Sequence, residues 1–174
     1  MFGFNEKPKV PLRHRKSPFM NLAFQKVPTV HGSMDTTPTP LKMLTDEDIH
    51  TPITTGMKDT GTDEPYIQID LGRVYEVYEI VIYSGYNGGY YTNNSSNTGH
   101  IYLKTGTTNV LADATQRDDQ TSTTVAYVPI TLHYEGEGIP VRYVFLSMKG
   151  DGTHFQIARP AEIEVEECPT VKPS

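Results

Sequence analysis

The densest run of chemically capable side chains lies between Tyr83 and Gly99, where Tyr83, Tyr86, Tyr90 and Tyr91 alternate with Asn87, Asn93, Asn94 and Asn97. Tyrosine rings stack on the apolar face of a sugar and carboxamides bond its hydroxyls, so this stretch has the chemistry of a glycan surface. The same mixture of Tyr, Asn, Gly and Ser also serves protein-binding loops. The candidate ligand-binding residues are Tyr83, Tyr86, Asn87, Tyr90, Tyr91, Asn93 and Asn94. Asn93-Asn94-Ser95-Ser96 contains two overlapping glycosylation sequons, which are read as coincidental because no leader of signal-peptide type precedes them.

Catalytic readings fail on arrangement. The histidines, His14, His31, His50, His100, His133 and His154, are scattered and form no HExxH or paired-ligand spacing. Cys168 stands alone beside Pro169, without the neighbours that activate a thiol. Gly150-Asp151-Gly152 is a turn signal, and the phosphate-cradling glycine motifs do not occur. Asp118-Asp119 falls in the polar stretch Thr115–Thr121, expected to be a solvated loop. The expectation is a protein without enzymatic activity.

Charge is divided unevenly along the 174 residues. Lys7, Lys9, Arg13, Arg15 and Lys16 stand against Glu6 in the first sixteen residues, a net of +4, which leaves −10 on residues 17–174. Pro8, Pro11 and Pro18 prevent helix and sheet there, so residues 1–18 form an extended arm. Such arms can bind phosphate without sequence preference. Here the −10 body repels phosphate, and Phe2 and Phe4 beside the basic residues suit a groove on another protein better. Phe2, Phe4, Lys7, Lys9, Arg13, Arg15 and Lys16 are thus expected to anchor the chain to protein subunits of a larger assembly, with nucleic acid not the expected partner. One cysteine excludes an internal disulfide and a cysteine-based zinc site. No apolar run approaches the roughly 18 residues of a membrane span. The expected origin is a reducing cytoplasm, with any export by a non-classical route.

The elements that must position these residues are strands. Eight of the 13 prolines fall within the first 65 residues, leaving room only for a short helical turn at Leu41–Ile49. From Tyr66 the pattern becomes period-2 alternation rich in Tyr, Val, Ile and Thr. Tyr66–Leu71 places Ile67, Ile69 and Leu71 on one face, and Gly72 is expected to end it. Val74–Tyr83 sets Tyr78, Ile80 and Ile82 against Val77, Glu79 and Val81. His100–Lys104, Thr123–Leu132 and Val141–Met148 follow. Ala161–Glu166 alternates Ala161, Ile163 and Val165 with Glu162, Glu164 and Glu166. Short strands at this spacing predict an all-β sandwich or jelly roll over residues 19–168, behind the arm and before a short tail at 169–174.

Several ordered segments resemble the discoidin family, also called the coagulation-factor C-type or galactose-binding-like domain. They are Asn21-Leu22-Ala23, the turn Leu44–Thr51, Tyr66–Gly72 followed by Ile80–Tyr83, Arg142-Tyr143-Val144, and Ala161–Val165. The resemblance implies a discoidin-like jelly-roll β-sandwich of eight strands, non-enzymatic, binding glycans, lipid head groups or proteins through loops at one end. It also implies a structural calcium ion. By resemblance Asp46 and Asp48 would meet Glu162, with Ala161 adding a carbonyl. The alternative is that Asp46 caps a turn and Glu162 is a solvated strand residue. Tyr66 replaces the family's tryptophan, and Glu47 replaces a turn glycine that usually supplies positive φ. Ser84-Gly85 stands where sugar-binding relatives carry an arginine or histidine.

Two functions are therefore expected. The first is an interaction module anchored by its arm in a larger assembly, such as a phage capsid-decoration, fibre or tail protein of a virion. The second is a free-standing, calcium-assisted carbohydrate-binding lectin-like module.

Overall fold

In a computed structural model, residues 20–32, 41–48, 57–59, 64–84, 89–92, 99–121, 131–149 and 156–167 are described, with backbone alone at 57–59, 89–92, 156, 157 and 159. Nine strands occur among these residues: β1 (Thr29–His31), β2 (Met57–Asp59), β3 (Tyr66–Tyr83), β4 (Gly89–Thr92), β5 (His100–Gly106), β6 (Thr115–Thr121), β7 (Thr131–Lys149), β8 (Gln156–Arg159) and β9 (Glu162–Glu167). All pair antiparallel. One sheet runs β1-β3-β7-β5-β6 with β9 also on β3, and a second runs β2-β8-β4. Neighbours distant in sequence are the mark of a jelly roll. None of the described helical segments is long and apolar enough to cross a membrane.

β3 and β7 are the spine because their apolar residues face inward over nearly their whole length. Ile67, Ile69, Leu71, Val77, Ile80 and Ile82 of β3 are buried together with Val144, Leu146 and Met148 of β7 and Ile101 and Leu103 of β5. Ile163 and Val165 of β9 join them, and Ala158 brings the small sheet into the same core. Each large aliphatic side chain removed from water contributes roughly 1.5–3 kcal/mol. Tyr66, in the tryptophan position, stacks on His31 at 4.4 Å between centroids and meets the edge of Phe145 at 5.8 Å.

The structure departs from the sequence expectations at four places. Gly72 does not end a strand: Asp70 Oδ1 accepts from the Gly72 amide at 2.8 Å, Gly72 adopts φ +95°, and β3 continues through a register shift. Tyr78 is exposed while Val77 is buried, because a bulge between Val77 and Glu79 reverses the alternation. The opposing strand β7 accommodates that bulge with Gly138, where a Cβ would come within 2.5 Å of the Glu76 side chain. Thr115–Thr121 is not a loop but β6, paired with β5 and mostly exposed, so its polar composition reflects a sheet edge in water. Within the expected loop Ser84–Gly99, Gly89–Thr92 forms β4 against β8, in keeping with the strand preference of Tyr and Thr. The helical turn is a 3₁₀ turn at Leu41–Thr45 that buries Leu44 and Thr45. Of the strand expected at Thr123–Leu132, residues 123–130 lie outside the described residues, and β7 begins at Thr131.

Candidate functional site

The inward alternation of Ala161, Ile163 and Val165 sends Glu162, Glu164 and Glu166 to the opposite face of β9. On an open strand all three would be solvated. Glu164 and Glu166 are half-buried, but Glu162 is fully buried. The 3₁₀ turn packs against β9, and Asp46 and Glu47 after it lie beside Glu162.

Short polar contacts fasten that packing. Asn21 Oδ1 accepts from the amides of both Ala23 and Val165 at 3.0 Å, and the Leu22 amide donates to the Val165 carbonyl at 2.7 Å. Thr45 Oγ1 donates to the Lys26 carbonyl at 2.6 Å, and the Gln25 amide to the Thr45 carbonyl at 2.9 Å. Asp46 Oδ1 accepts from the Asp48 amide at 3.0 Å. Between them Glu47 adopts φ +69°, so the left-handed turn is kept without the glycine, at a cost of roughly 1–2 kcal/mol.

Neither oxygen of Glu162 has a hydrogen-bond partner among the described residues. Burial pushes its carboxyl up to about 8, and the charges of Asp46 and Glu164 push the same way. The amides of Glu47 and Asp46 oppose the rise electrostatically, without reaching bonding geometry. A buried carboxylate beside a second one, with oxygens to spare, is suited to a hard divalent cation held by oxygen. Of the expected calcium residues, Asp46 lies within electrostatic reach of Glu162, and Asp48 is tied to Asp46 through its amide. Ala161 is fixed next to Glu162 by its amide, which donates to the Tyr83 carbonyl at 2.7 Å. Glu162 is thus not the solvated residue of the alternative reading. Asn21, which holds β9 in place, was visible in the sequence only as part of a resemblance.

Of the tyrosine and asparagine set, Tyr83 is the last residue of β3, and its hydroxyl donates to Glu164 Oε2 at 3.4 Å. Tyr90 and Tyr91 lie in β4 opposite Ala158 and Ile157. Tyr86, Asn87, Asn93 and Asn94 lie outside the described residues, as do the arm residues Phe2, Phe4, Lys7, Lys9, Arg13, Arg15 and Lys16.

No protein-family model matches the chain, and no curated protein matches it in sequence. Solved structures do match its fold. A chitosan-binding module from a chitosanase/glucanase of Paenibacillus sp. IK-5 is 18% identical, with 84% of this chain and 98% of that chain covered at a TM-score of 0.52. The family 32 carbohydrate-binding module of C. perfringens NanJ, in complex with galactose, is 19% identical over 86% of this chain and 98% of that one, at 0.51. A Streptococcus pneumoniae fucose-binding module is 15% identical over 86% and 96%, also at 0.51. The chain therefore has the galactose-binding-like, discoidin-type β-sandwich fold.

Proposed function

We propose that the chain is a non-catalytic carbohydrate-binding module that holds a glycan at β4 and the segments flanking it. The observation that carries this reading is likeness, over nearly the full length of each, to modules that bind chitosan, galactose and fucose. Tyr86, Tyr90 and Tyr91 supply stacking rings, and Asn87, Asn93 and Asn94 supply amides. With Ser84-Gly85 in place of a cationic sugar ligand, stacking carries most of the affinity. Among these sugars the protonated amino sugar fits the −10 charge of residues 17–174 best.

A calcium ion braces the fold in this reading. Glu162 and Asp46 would hold it, helped by Asp48 and the Ala161 carbonyl, and it would neutralise a carboxylate pair that otherwise repels. The test is a panel of immobilised glycans, including chitosan oligosaccharides, galactose and fucose. Saturable binding to at least one, lost in Tyr90→Ala or Tyr91→Ala with the fold retained by circular dichroism, is expected. A folded chain with no signal above background would overturn the reading.

A second reading rests on the charge asymmetry. The +4 arm joined to a −10 body supports anchoring in a larger particle, such as a virion assembled in a reducing cytoplasm, with the glycan surface outward. Light scattering of the full chain and of residues 19–174 separates the two. Assembly lost with the arm favours the particle component, and identical monomers favour the free-standing module.

A further inference from the structure

We propose that Glu79, His133 and Glu135 form a binding site for a divalent transition-metal ion on the outer face of β3 and β7. Ile80 and Ile82 turn inward to the core, so Glu79 and Val81 belong to the opposite face of the same strand. Glu79 is directly opposite Glu135 on β7 and directly opposite Glu166 on β9. Three carboxylates thus stand in one row across three adjacent strands, and the central one is only 7% exposed. Directly opposed like charges destabilise a sheet, the more so where water is excluded. A cation bound among them would relieve that repulsion.

His133 stands two residues from Glu135 on the same face, opposite Val81. Its Nε2 lies 2.9 Å from Glu79 Oε1 and 4.0 Å from Glu135 Oε2, and the ligand atoms of all three residues lie within 4.8 Å of one another. Donors bound tetrahedrally to zinc at about 2.0–2.1 Å are separated by roughly 3.3–3.5 Å, so the observed distances bracket a zinc site. Glu135, more than half exposed, can close the remaining gap by rotation. The backbone beneath is fixed, because the His133 amide donates to Asp118 Oδ2 of β6 at 2.8 Å. Without metal, His133 Nε2 and Glu79 Oε1 share a hydrogen bond of 2.9 Å, and the ion would take the place of its proton.

One imidazole and two carboxylates suit zinc and its neighbours, whereas the oxygen-only cradle at Glu162 suits calcium. The two sites are distinct. Glu162 and Glu166 are four residues apart on β9, about 13 Å along the strand. Three protein ligands leave a fourth position for water or for a donor from another molecule.

The test is titration of the full chain with zinc against a chromophoric chelator, in excess calcium, with the fold of each variant checked by circular dichroism. One equivalent is expected to bind. It should be lost in His133→Ala and His133→Gln, weakened about tenfold or more in Glu135→Gln, and retained in Glu162→Gln, His31→Ala and His100→Ala. Absence of zinc uptake by the wild-type chain would overturn the proposal. So would binding that survives His133→Ala, or that disappears in Glu162→Gln.

Discussion

Glu162 and Glu79 are both buried glutamates on adjacent strands of one sheet, and they meet burial in opposite ways. Glu79 receives an imidazole nitrogen at 2.9 Å, from a side chain that reaches solvent. Glu162 has no hydrogen-bond donor among the described residues and faces Asp46 instead of a cation. A buried carboxylate must be neutralised by a proton, a cationic side chain or a metal. At Glu79 the chain places His133 beside the carboxylate, and the ion proposed above would share that compensation. At Glu162 the chain builds a rigid wall from Asn21, Thr45 and Glu47 and leaves the charge to be met from outside.

The largest expected effect breaks this contrast through pH. The Glu162 carboxyl titrates near 8 when folded, against 4.5 for an ordinary glutamate. Between those values the folded chain holds a proton that the unfolded chain has released. The contribution of Glu162 to the stability of the metal-free protein is therefore complete below about 4.5 and falls as pH rises to about 8, by an amount on the order of a few kcal/mol. Urea unfolding across that window, in chelator, should show the decline, and Glu162→Gln should flatten it.

Removing the wall comes next. Asn21→Ala strips an acceptor from two amides, those of Ala23 and Val165, and is expected to cost about 2–4 kcal/mol by the same unfolding measurement. His133→Ala removes the hydrogen-bond partner of Glu79 Oε1 and should cost about 1–2 kcal/mol, part of which Glu79→Gln restores in the double variant. The smallest effect belongs to an exposed counterpart. Arg142 grips Asp70 through two bonds of 3.0 and 3.1 Å, and this contact holds the Asp70 carboxyl below its usual range. Both side chains are more than a third exposed, so Arg142→Ala should lower stability only slightly in the same unfolding measurement. Titration of Asp70 by NMR should show its carboxyl returning toward the ordinary value.

Period-2 alternation made β9 and the first half of β3 legible, and the segments resembling known domains placed Glu162 and Asp46 in one candidate site. What alternation could not carry was register. Tyr78 and Val77 exchange faces because of one bulge, and β6 looked like a loop because an edge strand in water needs no apolar face. The Glu79 and His133 pair, 54 residues apart, is brought together by β3–β7 pairing alone. No local spacing rule detects it. Glu47 shows the converse: the missing glycine left the turn geometry open, yet the packing around Thr45 and Asp46 imposes positive φ on a glutamate.

The most direct test of a cation-dependent Glu162 cradle is thermal unfolding near pH 7.5 with increasing calcium, for the wild-type chain and Glu162→Gln. A saturable rise in Tm for the wild type, absent in the variant, is expected. A Tm indifferent to calcium, or an equal rise in Glu162→Gln, would contradict it.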